Sequence, residues 1–250
     1  MDSWFDLSVP VVTGMPVYPG DPPVEVTRAL TVAEHGVNVL RLHMGSQSGT
    51  HVDAPYHVDE SWPTLDDLPL ARFAGAAVVA DVRGLAPRAP ITPEHLAPAL
   101  GLLGPRAAGI LLLATGWSAH WGTDHYAEHP WLTPAAARAL VTAGVRTVAV
   151  DALSVDPTGG AELPAHRVLC GAGGVIAENL TGLDRLAEAQ AAGRPVEVFL
   201  FPLRLPGADG APVRATARVG DVAVEDVAVR DVDPDTRPRR GPSSAPGERV

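Results

Sequence analysis

From Gly75 onward, apolar segments alternate with segments that favour helix, and this alternation limits the folds open to the chain. Apolar runs at 76–82, 109–115, 147–151 and 196–203 are typical of buried strands. Thr92-Pro93 and Thr133-Pro134 start two predicted helices, because threonine is a good cap and proline suits the first helical position. A third helix is predicted over 184–192. The alternation predicts an α/β fold in which helices pack on a central sheet.

The region before Gly75 is richer in strands and adds a second sheet or β layer to the prediction. Strands are expected at 5–13, 24–30 and 37–42, and a loop with a short helical turn at 62–73. The whole of 1–231 is expected to form a single domain. Residues 232–250 carry few apolar side chains to offset the entropy of ordering, so we expect a disordered tail.

Charge and cysteine content exclude several classes of function. The net charge of −10 argues against a nucleic-acid partner, because such partners require clustered Lys and Arg. With one cysteine among 250 residues there is no intramolecular disulfide, which fits a cytoplasmic protein. The sequence predicts no signal peptide and no membrane-spanning segment. Because a thiolate metal site would need more than one cysteine, any metal must be held by imidazole, carboxylate or amide groups.

Residues 47–57 read QSGTHVDAPYH and place two histidines, an aspartate and a carboxamide within eleven residues. Gln47, His51, Asp53 and His57 have the same parity, so an extended backbone would direct them to one side. A His-x-Asp pair on one strand face offers a nitrogen and an oxygen to the same point, as a divalent cation requires. The alternative is a strand and turn whose polar residues cluster by chance.

A second candidate cluster surrounds the glycine-rich segment 171–174, where His166 precedes the glycines and Glu178 follows them. A turn there would bring Glu178 back toward His166 and complete a ligand set that His51 and Asp53 leave short. Read singly, a surface histidine and a solvated glutamate are the more common cases. Cys170 is interpreted as a small buried residue, and Ser154 lacks the surroundings of a hydrolase nucleophile.

These two clusters together resemble the cyclase / kynurenine formamidase (arylformamidase) family of metal-dependent hydrolases. The family motif is His-x-Gly-Thr-His-x-Asp-x-Pro-x-His, and residues 47–57 match every fixed position except the first, where Gln47 replaces histidine. Tyr126 and the segments 18–21, 115–117, 129–132, 151–156 and 202–213 are also similar to family blocks, so the resemblance covers roughly residues 4–225. It implies a swivelling β/β/α-type fold with a mixed central sheet flanked by helices, and a homodimer or larger homo-oligomer.

The resemblance also implies roles for individual residues. His51, Asp53, His166 and Glu178 would bind one or two Zn²⁺ or Mn²⁺ ions, with Gln47 as a weaker ligand that shifts preference toward manganese. His57 would be the general acid/base, and Tyr18 would pack on a small aromatic substrate. The reaction implied is hydrolysis of an amide, such as the aryl formamide N-formylkynurenine, or of a lactone.

Two other functions compete with hydrolysis at this stage. Related proteins in actinobacterial antibiotic pathways are aromatic polyketide cyclases, in which the same site would stabilise an enolate during an aldol cyclisation and dehydration. The composition, rich in alanine, arginine, proline and glycine, suggests a GC-rich genome and weakly favours this alternative. The third alternative is a non-catalytic binding protein whose metal site decayed at position 47.

Overall fold

The computed structural model describes residues 3–103, 109–160 and 162–221. In these ranges the chain forms a large mixed β-sheet and two smaller ones. The strands are β1 (Ser3–Asp6), β2 (Glu25–Leu30), β3 (Val39–His43), β4 (His51–Asp53), β5 (Ala74–Asp81), β6 (Pro90–Ile91), β7 (Ile110–Ala114), β8 (Trp131–Leu132), β9 (Thr147–Val150), β10 (Val175–Glu178), β11 (Val196–Phe199), β12 (Gly210–Pro212) and β13 (Thr216–Val219). Nine of these described strands form the main sheet, in the order β1-β13-β11-β5-β7-β9-β10-β4-β12. The hairpin β2–β3 and the pair β6–β8 form two smaller sheets.

In the described ranges, the short first helix lies between the two strands of the β2–β3 hairpin, and the other four lie between strands of the main sheet. The helices are α1 (Val32–His35), α2 (Pro93–Leu100), α3 (Pro134–Thr142), α4 (Pro164–Gly171) and α5 (Leu183–Ala191), with 3₁₀ turns at Pro55–His57, Leu65–Asp67, Leu70–Arg72, Trp117–His120 and Asp124–Glu128. The pairs β5–β7, β7–β9 and β9–β10 are parallel, because α2, α3 and α4 return the chain to the same edge each time. Antiparallel strands flank this parallel centre on both sides.

Both faces of the sheet are covered by apolar side chains, as the central strand β7 demonstrates. All five of its residues are buried. Ile110 and Leu112 pack in the cluster that contains Leu186 of α5, whereas Leu111 and Leu113 pack with α2, α3 and α4 on the opposite face. Alternate residues of a strand point to opposite faces, so a continuous apolar run is what a doubly covered strand requires. The predicted α/β fold, a mixed sheet flanked by helices, is confirmed.

The helix predictions agree with the structure to within one or two residues. The Thr133 hydroxyl caps α3 by accepting a hydrogen bond from the Ala136 amide at 3.1 Å. Gly144, two residues beyond the helix, has a φ of +88°, a conformation that glycine adopts readily. Helix α4, by contrast, was not predicted, because its single apolar face is short and adjoins the glycine-rich segment 171–174.

Several predicted strands are shorter in the structure. The strand expected over 5–13 is confined to β1, because Pro10 has no amide hydrogen and Val9 bonds to the Thr50 side chain. The extended backbone considered for 47–57 is found only at β4. Gly49, with a φ of +68°, precedes β4 in a turn, and Pro55 starts a 3₁₀ turn after it. The shared parity of positions 47–57 therefore brings only His51 and Asp53 onto one strand face.

The predicted disordered tail, 232–250, lies outside the described residues, and the single domain over 1–231 stays a prediction. In the described ranges, no helix combines the length and the apolar character needed to cross a membrane. The cytoplasmic location also stays a prediction.

The packing of β7 predicts the cost of a cavity at its centre. Leu112 is fully buried, so Leu112→Ala removes apolar contacts that the surrounding sheet and helix cannot replace. We expect a loss of about 2–5 kcal/mol in the free energy of unfolding, measured by urea denaturation. Leu102→Ala is the matched control, since Leu102 is 59% exposed. Equal losses in the two variants would contradict this description of the core.

Candidate active site

The pairing of β4 with β10 brings three acidic and basic side chains together. His51 and Asp53 are alternate residues of β4 and share a face, and Glu178 of β10 lies directly opposite His51 in the antiparallel register. All three are buried, and one donor atom from each lies within 4.8 Å of the others. Sheet pairing therefore assembles the first three predicted ligands on a rigid element.

Helix α4 supplies His166, the fourth predicted ligand. The two carboxylate oxygens of Asp156 accept hydrogen bonds from the amides of Ala165 and His166, at 2.8 and 2.9 Å, in the first turn of this helix. One of these oxygens also accepts from His166 Nδ1 at 2.7 Å. Asp156 is fully buried. It therefore holds both the start of α4 and the ring of His166.

The four side chains surround one small volume. His51 Nε2 is 3.4 Å from Asp53 Oδ1 and 3.7 Å from Glu178 Oε2. His166 Nε2 is 3.6 Å from Asp53 Oδ2 and 3.5 Å from Glu178 Oε1. Donor atoms about 2.1 Å from one tetrahedral cation are separated by about 3.4 Å. Each carboxylate thus presents one oxygen toward each histidine, which is an arrangement that can hold one cation or two.

Hydrogen bonds on the far side of each ring leave its Nε2 atom available. His51 Nδ1 donates to the carbonyl oxygen of Gly49 at 2.8 Å, since a carbonyl can only accept. His166 Nδ1 donates to Asp156. In their neutral forms both rings then carry a lone pair on Nε2, directed at the carboxylates. Partners of this kind orient histidine ligands in metal sites.

Buried charge makes the cluster suitable for a cation. Both oxygens of Asp53 are buried and have no hydrogen-bond partner among the residues described. Burial and the charge of Asp53 raise the pKa of Glu178. Burial opposes protonation of both histidines, but Asp53 raises the pKa of His51 to about 9 and Asp156 raises that of His166 to about 10. The carboxylates thus attract positive charge to this point, and two imidazoles with two carboxylates form a donor set that fits a divalent metal ion.

His57 lies beside this cluster, at the end of the 3₁₀ turn. Its ring centre is 5.9 Å from that of His166. Nδ1 of His57 is 3.1 Å from the amide nitrogen of Gln47 and 3.4 Å from Asp209 Oδ2. Burial lowers the pKa of His57, but the contact with Asp209 and the charge of Asp53 outweigh burial, so the pKa is raised. The predicted proton carrier is therefore next to the predicted ligands.

Gln47 lies in the turn before β4, and the nitrogen and oxygen of its side-chain amide differ in their contacts. Nε2 donates to Asp209 Oδ2 at 2.8 Å. Oε1 is buried and has no partner among the described residues. The prediction that Gln47 is a metal ligand therefore concerns Oε1 alone.

An open cleft leads to these residues. Tyr18 lines it, and its hydroxyl accepts a hydrogen bond from the Gly159 amide at 3.1 Å. Val17, Leu153 and Leu163 add apolar surface, and Asp21 adds a carboxylate. Apolar walls with a few polar groups are typical of sites for small molecules.

Three residues of the site were not predicted as such. Asp156 and Asp209 were noted only as parts of longer segments, because an aspartate in a turn is ordinary. Asn179 has a φ of +58°, bonds the Gly49 carbonyl through Nδ2, and accepts from the Tyr126 hydroxyl. The signal available for Asn179 was its position directly after Glu178.

An aromatic cluster, His129 and Cys170 lie apart from this chemistry. Trp117, His120 and His125 form a ring cluster with centre distances of 4.6–5.1 Å, and His129 is buried against the Pro130 carbonyl. Cys170 is buried, and burial raises the pKa of its thiol, as the interpretation of a small buried residue requires.

Comparison with known proteins agrees with this description. The Cyclase family model matches residues 5–157. A kynurenine formamidase from Salinibacter ruber is 37% identical over 215 residues, covering 85% of this chain and 96% of the relative. A kynurenine formamidase from Paracidovorax citrulli is 35% identical over 224 residues, covering 86% and 95%.

Solved structures give the same result. A structure described as a potential metal-dependent hydrolase with cyclase activity is 28% identical, with a TM-score of 0.67 over 87% of this chain and 99% of that chain. An isatin hydrolase bound to thioisatinate has a TM-score of 0.77 over 87% and 92%, and its 19% identity limits that likeness to the fold. Fold, donor residues and relatives together define a metal-dependent hydrolase. The chain belongs to the cyclase / kynurenine formamidase family.

The contacts of Asp156 predict a loss of metal affinity when its charge is removed. Asp156→Asn weakens the hold on the His166 ring without removing any of the four donor atoms. We expect roughly 10- to 100-fold weaker binding of zinc, measured by competition with a chromophoric chelator. Asp184→Asn, at an exposed position of α5, is the control for loss of one negative charge. Unchanged affinity in Asp156→Asn would refute the orienting role.

Proposed function

We propose that this protein hydrolyses the amide bond of an aryl formamide, with N-formylkynurenine as the reference substrate. The observation that carries the proposal is the position of His57, whose ring lies 5.9 Å from the His166 ring at the edge of the buried His/Asp/Glu cluster. This puts a proton carrier next to a cation site inside one cleft. The formamidase names of the relatives support the choice of substrate.

We assign the cation to His51, Asp53, His166 and Glu178, with Gln47 Oε1 as a further, weaker oxygen donor. Zn²⁺ and Mn²⁺ suit this mixture of imidazole and carboxylate groups, as one ion or two. When bound, such a cation polarises a carbonyl group and makes water more acidic. Asp53 and Glu178 can each serve two positions, because each directs one oxygen to either histidine.

His57 moves the proton in the proposed reaction. It takes a proton from the attacking water while the water oxygen bonds to the formyl carbon. It then delivers that proton to the amine nitrogen as the carbon–nitrogen bond breaks, which yields formate and the aryl amine. Its raised pKa favours the protonated form that the second step needs.

Tyr18 is proposed to pack against the aromatic ring of the substrate. Its hydroxyl is held by Gly159, so the ring has a defined position at the wall of the cleft. The apolar side chains of Val17, Leu153 and Leu163 provide the remaining surface for a flat, small ligand. The formamide would then extend toward His57.

His57→Ala tests the proton carrier separately from the cation site. We expect kcat/KM for N-formylkynurenine, with zinc or manganese supplied, to fall at least about 100-fold, because general acid–base catalysis typically contributes this much. Metal content, measured by mass spectrometry, should stay at the wild-type value. His95→Ala, at an exposed position of α2, should keep wild-type activity.

Two results would refute the proposed function. The first is wild-type protein that binds metal and turns over neither N-formylkynurenine nor simple aryl formamides. The second is a His57→Ala variant with wild-type kcat/KM. Either result would favour the alternative functions, polyketide cyclisation or non-catalytic binding.

We further propose that the protein is a homodimer or larger homo-oligomer, formed through the hairpin β2–β3. All five residues of β3 are exposed, and Leu40 and Leu42 are each 59% exposed. Val32, Val37 and Val39 add more exposed apolar surface to the same hairpin. A two-stranded hairpin with this much exposed apolar surface is stable when another surface covers it. A second copy of the chain is the proposed cover.

The double variant Leu40→Arg/Leu42→Arg should convert the oligomer to a monomer. Four buried charges at a symmetric contact would oppose association. Mass measurement by light scattering during gel filtration would detect the change. Leu102→Arg, equally exposed on another part of the chain, should leave the mass unaltered. An oligomer that survives the double variant would exclude this hairpin as the interface.

A further inference from the structure

The carboxylate of Asp209 is held in place from three sides. Its Oδ1 accepts from the Ser46 hydroxyl at 2.9 Å. Its Oδ2 accepts from Gln47 Nε2 at 2.8 Å and lies 3.4 Å from His57 Nδ1. Asp209 immediately precedes β12, and its own carbonyl accepts from the Ala54 amide at 2.7 Å, which joins it to the end of β4. Both the backbone and the carboxylate are therefore fixed near His57.

The orientation of the Gln47 amide follows from Asp209. A carboxylate oxygen can only accept, so the amide atom 2.8 Å away must be the NH₂ group. The same nitrogen is 3.1 Å from His57 Nδ1, so the amide and the carboxylate meet one end of the imidazole together. An alternative orientation, with Oε1 toward Asp209, would bring two acceptors into contact.

Gly210 leaves the space that this arrangement needs. A Cβ at position 210 would lie 2.6 Å from Gln47 Nε2 and 2.5 Å from the carbonyl oxygen of Val52. The first contact would displace the Gln47 amide, and the second would disturb the pairing of β12 with β4. A side chain larger than hydrogen cannot be accommodated there without moving one of them.

We propose that Asp209 is a positioning residue for His57, with Ser46 and Gln47 holding its carboxylate. The role rests on the proposed hydrolytic function. Asp209 and Gln47 occupy the Nδ1 end of the ring, which leaves Nε2 for the reacting atoms in the cleft. In the tautomer that carries its hydrogen on Nδ1, that N–H donates to Asp209 and the lone pair of the ring lies on Nε2. Gln47 thus acts on the proton carrier indirectly, because its NH₂ group holds the Asp209 carboxylate in place.

An upper bound can be placed on the loss of kcat when the Asp209 carboxylate is replaced. In serine proteases, replacing the aspartate that orients the catalytic histidine by asparagine lowers kcat by about 10⁴. The contact here is longer, 3.4 Å, and the Asp209 side chain is 35% exposed. Solvent can therefore replace part of the lost hydrogen bond, and we expect kcat of Asp209→Asn to decrease about 10- to 100-fold.

Asp209→Asn, Asp209→Glu and Ser46→Ala test the proposal in the metal-loaded protein. For Asp209→Asn we expect kcat for N-formylkynurenine to fall about 10- to 100-fold, with KM and metal content within twofold of wild type. Asp209→Glu keeps the acceptor and the charge and should recover part of the loss. Ser46→Ala removes one donor to the carboxylate and should lower kcat by roughly two- to tenfold.

Asp59→Asn is the matched control, because Asp59 is a partly exposed aspartate whose side-chain hydrogen bonds go to Ser61. It should keep wild-type kcat. Asp209→Asn with wild-type kcat would overturn the positioning role while leaving the hydrolase function intact. A parallel loss of metal and kcat, unrecovered by Asp209→Glu, would also overturn it in favour of a structural role. Absence of wild-type turnover would overturn the proposed function and this role with it. If Asp209→Asn does not fold, Ser46→Ala decides by the same criteria.

Discussion

The antiparallel pairing of β4 with β10 is the contact on which the rest of the site depends. Its register places His51 opposite Glu178, and the alternation of β4 puts Asp53 on the same face. Because these side chains project from paired strands rather than from loops, their separation is held by backbone hydrogen bonds. The pairing of β12 with the other edge of β4 then brings Asp209 beside His57. One short strand thus connects the proposed cation site to the proposed proton carrier.

Burying four ionisable groups at one point is costly unless each charge is compensated, at several kcal/mol per ion. Most of the compensation is visible within the chain. His51 bonds the Gly49 carbonyl, His166 bonds Asp156, and Glu178 accepts from the Val155 amide at 3.0 Å. Asp53 has no such partner among the described residues. A cation held between the histidines and the carboxylates would give the Asp53 oxygens the partner that they lack, so this deficit favours metal binding.

The extent to which the site could be predicted differs from residue to residue, for physical reasons. His51 and Asp53 could be predicted as a pair because two alternate residues of one strand share a face, whatever the rest of the chain does. His57 was expected on that face too, yet it reaches the cleft through a 3₁₀ turn started by Pro55. Asp156 and Asp209 act through hydrogen bonds to histidines far away in sequence. Neither residue carries a local pattern that sets it apart from other aspartates in turns.

Local patterns by themselves determined the α/β class, the main strands and helices, and the pairing of a histidine with an aspartate, because hydrophobic periodicity and capping act over a few residues. The glycine-rich segment between His166 and Glu178 led to the prediction that these two complete the ligand set, and family resemblance supported it. Only the tertiary structure decided which oxygen meets which nitrogen, which ring nitrogen is free, and that the NH₂ group of Gln47 faces Asp209 and His57. Those features depend on strand register and on contacts between distant segments, which no short stretch of sequence contains.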